Sequence, residues 1–184
     1  MLDFDVKELP NLKFSMQDLT TYYNEVKTHE TLKWTPKDTD TLNHNVNGIY
    51  SWAIQSNLKD ATKPCPPYDI KHDDTVLGTF DNPTDLIFGF GKYIVDAIPN
   101  VRQTVISAHP PETVIQQHID NTEYVKVHIP IETNPKSYFS FGDTNYTLKV
   151  GKAYLINTTR PHGTNNSGDT DRIHLIFKIP INSV

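Results

Sequence analysis

The sequence predicts a mainly β fold with flanking helices, a jelly roll of cupin-like shape whose N-terminal helices pack on one sheet. Three observations predict it. From Val101 onward short segments alternate apolar and polar residues, turn-forming residues separate them, and both helical patterns come earlier in the chain.

The first helix starts at Ser15-Met16-Gln17-Asp18, which has the shape of a capping box, and Met16, Leu19, Tyr23 and Val26 then recur at helical spacing. Asn82-Pro83 offers the second helix an N-cap followed by proline at its first position, and Leu86, Phe90, Tyr93, Ile94 and Ala97 continue it. Gly89 and Gly91 fall inside that pattern at a cost in helix stability. Between the helices, residues 33–80 are irregular and rich in Thr, Asn, Asp and Pro, with short strand-like pieces around Gly48–Ile54. Pro64-Cys65-Pro66-Pro67 excludes helix and central strand. So long a connection is expected to be functional, for instance as a substrate-binding flap.

Candidate strands then follow at 101–107, 112–117, 123–131, 137–141, 145–150, 152–157 and 172–179, with separators such as Asn134-Pro135, Gly142-Asp143 and Asn165–Asp169. The expected organisation is one domain over 1–184, helical and irregular over 1–100 and a β core over 101–180.

Composition narrows the function classes. With 17 basic and 22 acidic residues the net charge is −5, spread along the chain, which argues against a nucleic-acid footprint or an anionic-membrane patch. No apolar run is long enough to span a bilayer. The start, Met1-Leu2-Asp3-Phe4-Asp5, lacks the apolar stretch of a secretory signal. A single cysteine, Cys65, excludes an internal disulfide and suits a reducing compartment, so a cytoplasmic location is expected.

The chemistry concentrates in the β half. In 123–131, Val125, Val127, Ile129 and Ile131 share one face while Tyr124, Lys126 and His128 share the other. In 172–179, Ile173, Leu175, Phe177 and Ile179 oppose Arg172, His174 and Lys178. Alternation alone leaves two readings open: the polar faces meet solvent, or they look into a barrel where the cations need an anion.

His118-Ile119-Asp120 puts an imidazole and a carboxylate on one side of an extended segment, and His162 follows in the turn-rich Arg160-Pro161-His162-Gly163. Two histidines and one carboxylate form a facial triad, which holds Fe(II) on one side and leaves positions open. Arg172, ten residues on from His162, is a planar cation suited to capturing a carboxylate. A His-x-Asp pair alone arises by chance, and His72-Asp73-Asp74 is a second one, without strand frame or downstream partners.

At these residues, over about 103–180, the chain resembles the aspartyl/asparaginyl β-hydroxylase family of 2-oxoglutarate oxygenases, which includes free-proline hydroxylases. The resemblance is carried by His109-Pro110, His118-x-Asp120, Lys126-Val127-His128-Ile129-Pro130, Gly151–Asn157, Pro161-His162 and Arg172-Ile173-His174-Leu175-Ile176-Phe177. It implies a double-stranded β-helix with His118, Asp120 and His162 on Fe(II), and Arg172 on the distal carboxylate of 2-oxoglutarate. His128 and Lys126 would line the same pocket; Lys126 stands where the family commonly has arginine. It further implies dioxygen as co-substrate and hydroxylation of an Asp, Asn or Pro moiety, peptidyl or free. Residues 1–100 carry no such likeness and are expected to shape substrate choice.

Other residues have competing roles. His174 reads as a second-layer partner of the site or a sheet histidine, and His109 as a turn or packing residue. Tyr138 and Ser140 face the co-substrate if the strand parity is right. Trp34 and Trp52 line a substrate groove or belong to the core, and Cys65 is a spectator. The alternative function is a non-oxidative metal-binding cupin, isomerase-like or ligand-binding.

Overall fold

The computed structural model describes residues 2–35, 48–58, 60–65, 80–120 and 123–184. The strands and helices run in the order β1 (Val6–Glu8), α1 (Met16–Val26), β2 (Lys33–Trp34), β3 (Tyr50–Ala53), β4 (Gln55–Ser56), β5 (Asn82–Pro83), α2 (Gly89–Ala97) and β6 (Arg102–His109). The β half continues with β7 (Thr113–His118), β8 (Tyr124–Glu132), β9 (Ser137–Phe141), β10 (Thr144–Tyr146), β11 (Tyr154–Ile156), β12 (His162–Asn166) and β13 (Arg172–Pro180).

From β6 onward the chain passes between two antiparallel sheets, the weave of a jelly roll. The larger has the order β1-β11-β8-β13-β6-β3-β2 and the smaller β10-β9-β12-β7. Alternation sets what each face does. The apolar faces of β8 and β13, with Ile106 and Ala108 of β6, bury against Leu19, Tyr22, Tyr23 and Val26 of α1 and Phe90 and Ile94 of α2. The helices therefore pack on one sheet, as expected, and the polar faces of β8 and β13 turn into the barrel. There they meet the smaller sheet, whose Phe139 and Phe141 pack with Tyr154 and Ile156 of β11.

The first helix begins where the capping box placed it, with the Asp18 backbone N–H donating to Ser15 Oγ at 3.2 Å. The second does not. Asn82 and Pro83 pair with Ser56 and Gln55 as strand β5, and Thr84 fastens the segment by donating its hydroxyl to the Ala53 carbonyl at 2.7 Å. The helix starts at Gly89 instead. Gly91 has a packing reason, because a Cβ there would stand 2.2 Å from the Tyr22 hydroxyl. Glycine lets α1 and α2 approach while Tyr22 reaches the Leu86 carbonyl at 2.7 Å.

The segment read as a turn around His162 is a strand. β12 pairs with β9 on one side and β7 on the other, so its polar His-Gly-Thr-Asn-Asn backbone is held by two neighbours rather than by propensity. Predicted strands 145–150 and 152–157 are shorter than expected, as β10 and β11. Among the described residues no helix is long and apolar enough to cross a membrane. The second His-x-Asp pair, His72–Asp74, lies outside the described residues, as do Pro66 and Pro67.

Candidate metal centre and anion pocket

His118 closes β7 and His162 opens β12, and the two are direct partners across that ladder. The register shifts between His162 and Thr164, where three steps on β7 match two on β12. This bulge re-aims the strand so that His118 and His162 face the same point. Gly163 makes it possible: a Cβ there would sit 2.6 Å from the Ile115 carbonyl oxygen. Asp120, two residues past His118, is anchored by its N–H to the Thr158 carbonyl at 3.0 Å.

One ligand atom from each of His118, Asp120 and His162 lies within 4.8 Å of the others. The Nε2 atoms of His118 and His162 stand 3.4 and 3.8 Å from Asp120 oxygens. The opposite ring nitrogens are both committed. His118 Nδ1 donates to the Gln116 carbonyl at 2.8 Å and His162 Nδ1 to the Arg160 carbonyl at 3.0 Å. A carbonyl can only accept, so in the neutral rings the Nε2 lone pairs point at the carboxylate, as a divalent ion requires. Phe141 stacks on His162 with ring centroids 5.9 Å apart.

Electrostatics favour the metal-ready protonation states. Burial raises the Asp120 carboxyl, but Lys126, at 2.6 Å, His118 and His162 outweigh it and hold the group well below the ordinary carboxylate range. Burial, with Lys126 adding to it, pushes His162 down to about 4, so the ring is neutral at physiological pH.

Deeper in the barrel lies a second constellation. Arg172, at 2% exposure, donates from Nη1 to His109 Nδ1 at 3.1 Å and lies over the Phe139 ring at 4.7 Å. His128 and His174 are joined Nδ1 to Nδ1 at 3.2 Å, one ring donating its N–H and the other accepting. Burial, then the Arg172 charge, drives His109, His128 and His174 far down, so all three are neutral. Burial lowers Arg172 to about 9, which leaves it charged at neutral pH. Its Nη2, with the Nε2 atoms of His128 and His174, is buried without a hydrogen-bond partner. Buried polar groups are nearly always satisfied, so the unmet Arg172 Nη2, with the one Nε2 of the pair that carries a proton, fits an anion with several oxygens.

The structure thus brings His118, Asp120 and His162 together at one point and sets Lys126 against them, while Arg172 and His128 line the same interior. His174, left open by the sequence, is fully buried against His128. His109 is not a turn or packing residue but the acceptor beneath Arg172, because the alternation of β6 turns it inward opposite that residue. Tyr138 and Ser140 are half-exposed, whereas Ser137, Phe139 and Phe141 are the buried face of β9. The parity that would have turned Tyr138 inward is one residue out of step. Phe139 and Phe141 are what sequence reasoning missed; their spacing of two residues was the available signal. Trp52 belongs to the main core, and Trp34 packs with Ile49 against Ile115 of β7. Cys65 is buried and donates to Asn57 Oδ1 at 3.3 Å.

Residues 92–180 match the family model described as Aspartyl/Asparaginyl beta-hydroxylase. No curated protein gives a significant match to the chain. Among solved structures, the chain is similar to viral collagen prolyl hydroxylase from Paramecium bursaria Chlorella virus-1, a 2-oxoglutarate complex, with TM-score 0.57 and 9% identity over 97% of each chain. A 2OG-Fe(II) oxygenase-family oxidoreductase from Burkholderia pseudomallei gives TM-score 0.57 at 11% identity, over 95% of this chain and 84% of that one. A Pseudomonas putida prolyl-4-hydroxylase gives 0.54 at 11%, over 97% and 93%. At such identities the likeness is one of fold.

Proposed function

The chain belongs, through residues 92–180, to the aspartyl/asparaginyl β-hydroxylase family, and we propose from that membership that it is an Fe(II)- and 2-oxoglutarate-dependent dioxygenase working at this site. His118, Asp120 and His162 hold the iron; Arg172, with His128 and Lys126, holds the co-substrate. The observation that carries the reading is a buried arginine with an unmet Nη2 in the same barrel as three convergent ligands.

When bound, the iron and 2-oxoglutarate let dioxygen insert one oxygen atom into a substrate C–H bond and the other into succinate, with release of carbon dioxide. The chain's own residues supply position and protonation. Two imidazoles locked by backbone carbonyls and one ionised carboxylate present a ligand face that needs no proton removed. Arg172 fixes the far carboxylate of the diacid, with Phe139 packed against Arg172 and Phe141 against His162. The substrate is an amino-acid moiety of Asp, Asn or Pro type, peptidyl or free. The setting is the cytoplasm, where a lone buried cysteine stays reduced.

The test is an anaerobic titration of metal-free protein with Fe(II) and then 2-oxoglutarate, read by the visible charge-transfer absorption of the chelate. Its appearance is the expected result. Iron bound with no band on adding 2-oxoglutarate overturns the reading in favour of a non-oxidative metal-binding cupin.

A further inference from the structure

Outside the barrel, the two helices leave a groove between them. Its volume is about 540 Å³, within the range of sites that take a small ligand or a short stretch of peptide. Buried Tyr22 of α1 and Phe90 of α2 form its floor, and the Tyr22 hydroxyl is already committed to the Leu86 carbonyl. Half-buried Phe14 and Phe88 stand over them. Phe88 meets Tyr22 edge-on with centroids 5.2 Å apart, and Phe14 meets Phe90 edge-on at 6.1 Å, packing that fixes the rings. Tyr93 completes the wall with 45% of its surface exposed.

The rim is acidic. Asp18 and Glu25 line the groove, and no Lys, Arg or His does. Lys27, two residues past Glu25, lies over the Tyr23 ring at 5.2 Å, and Lys92, next to Tyr93, pairs with Asp96 at 2.8 Å. Among the described residues no cation pairs with either rim carboxylate. Asp18 suits the first turn of a helix, so Glu25 carries the argument. It stands in the last turn of α1, at the negative end of the helix dipole, where a cation is favoured and the helix has none. An unpaired acid kept there, beside aromatic rings, is complementary to a positive group from outside.

Spacing narrows the kind of partner. Seven residues make almost two helical turns, so the two carboxylates face one side and lie about 10 Å apart along the axis. A single cation does not reach both. An extended polypeptide rises about 3.1 to 3.4 Å per residue, so basic residues three apart match the gap, and polyproline II geometry puts them on one side. Arginine fits better than lysine, because its plane stacks on aromatic rings while its fork meets a carboxylate.

We propose that this groove docks an extended segment of a partner polypeptide through two arginines three residues apart, one at Asp18 and one at Glu25. The residues between them cross the aromatic floor.

The test is calorimetric titration of the protein with N-acetyl-Gly-Arg-Pro-Pro-Arg-Gly-amide, with the same peptide carrying citrulline for both arginines, and with arginine amide. The arginine peptide saturates and binds at least tenfold tighter than the other two. Glu25→Gln and Asp18→Asn each weaken it about three- to fivefold, the most that one exposed ion pair gives. Tyr93→Ala weakens it too. The melting temperature of Glu25→Gln stays or rises, since a carboxylate leaves the negative end of a helix. Prior saturation with redox-silent Mn(II) and 2-oxoglutarate leaves the peptide Kd within twofold. No saturable binding, equal binding of the citrulline peptide, or an affinity unmoved by both acid substitutions overturns the proposal. Arginine amide binding as tightly as the peptide overturns it in favour of a small organic cation. A Kd that worsens more than twofold in the loaded protein overturns it by placing the peptide in the barrel. A lower melting temperature for Glu25→Gln makes that residue structural and overturns it as well. Should Tyr93→Ala unfold, the two acid substitutions carry the test.

Discussion

His162 is 3% exposed and its proton is committed to the carbonyl of Arg160, an exposed residue, so alanine there removes a ligand and leaves that carbonyl to water. His162→Ala is expected to lower Mn(II) affinity at least a hundredfold while the metal-free protein still melts cooperatively; unchanged affinity would remove His162 from the centre. Arg172 tests the other half. Arg172→Lys keeps a charge but loses the planar fork, and losing one charge-assisted hydrogen bond is worth about a ten- to hundredfold rise in 2-oxoglutarate Kd. An unchanged Kd would place the anion pocket elsewhere. At this scale residue type and order in the sequence picked out His118, Asp120 and His162, which the fold brings together, and Arg172, which it buries in the same barrel. The sequence was mute where contacts depend on inward facing: nothing in His109-Pro110 announces that the ring accepts from Arg172, 63 positions away.

Strands explain most of the differences between expectation and structure. Periodicity located β6 through β9 and β13 within a residue or two, because β6, β8 and β13 bury an apolar face against the helices and β9 buries one against β11. β12 has no such face and is a strand only because β7 and β9 flank it. β5 replaced a helix start for a similar reason, since pairing with β4 outweighs a local capping signal. Bulges in β6 and β7 are invisible to alternation and reverse its reading beyond them. The short β1 has a role the sequence did not suggest. It pairs with β11, and its neighbouring residues hold the loop before His162: Asn157 donates its backbone N–H to the Asp5 carbonyl at 2.9 Å and its side-chain amide to the Phe4 carbonyl at 2.8 Å. Asp5 also pairs with Arg160. Asp5→Ala should therefore weaken Mn(II) binding several-fold while 2-oxoglutarate affinity, measured in the same loaded protein, stays within twofold. Equal loss of both would mean general destabilisation instead.

Across the whole molecule, the buried neutral histidines make the metal-free protein acid-sensitive. His162 is lowered to about 4, and His109, His128 and His174 lie well below an ordinary histidine. Between pH 6.5 and 4 the unfolded chain takes up protons that the folded one refuses, so stability is full above about 6.5 and declines as pH falls. Asp120, held low, stabilises the fold in full above the ordinary carboxylate range, and that contribution is lost as pH falls below it. Melting temperature should drop by at least about 5 °C from pH 7 to pH 5, a stability change of roughly 2 kcal/mol; a flat profile would mean the histidines are not buried neutral. Both histidine ligands come from the smaller sheet, whereas Arg172, His128 and Lys126 all come from the larger. In the proposed function metal and diacid would thus be gripped by opposite walls, and a co-substrate resting on both would work like a clasp across a seam. Hydrogen exchange should register this: metal alone slows amides of β7 and β12, whereas the pair together quietens β8 and β13 too, so that the loaded barrel breathes as one body where the empty one breathes as two.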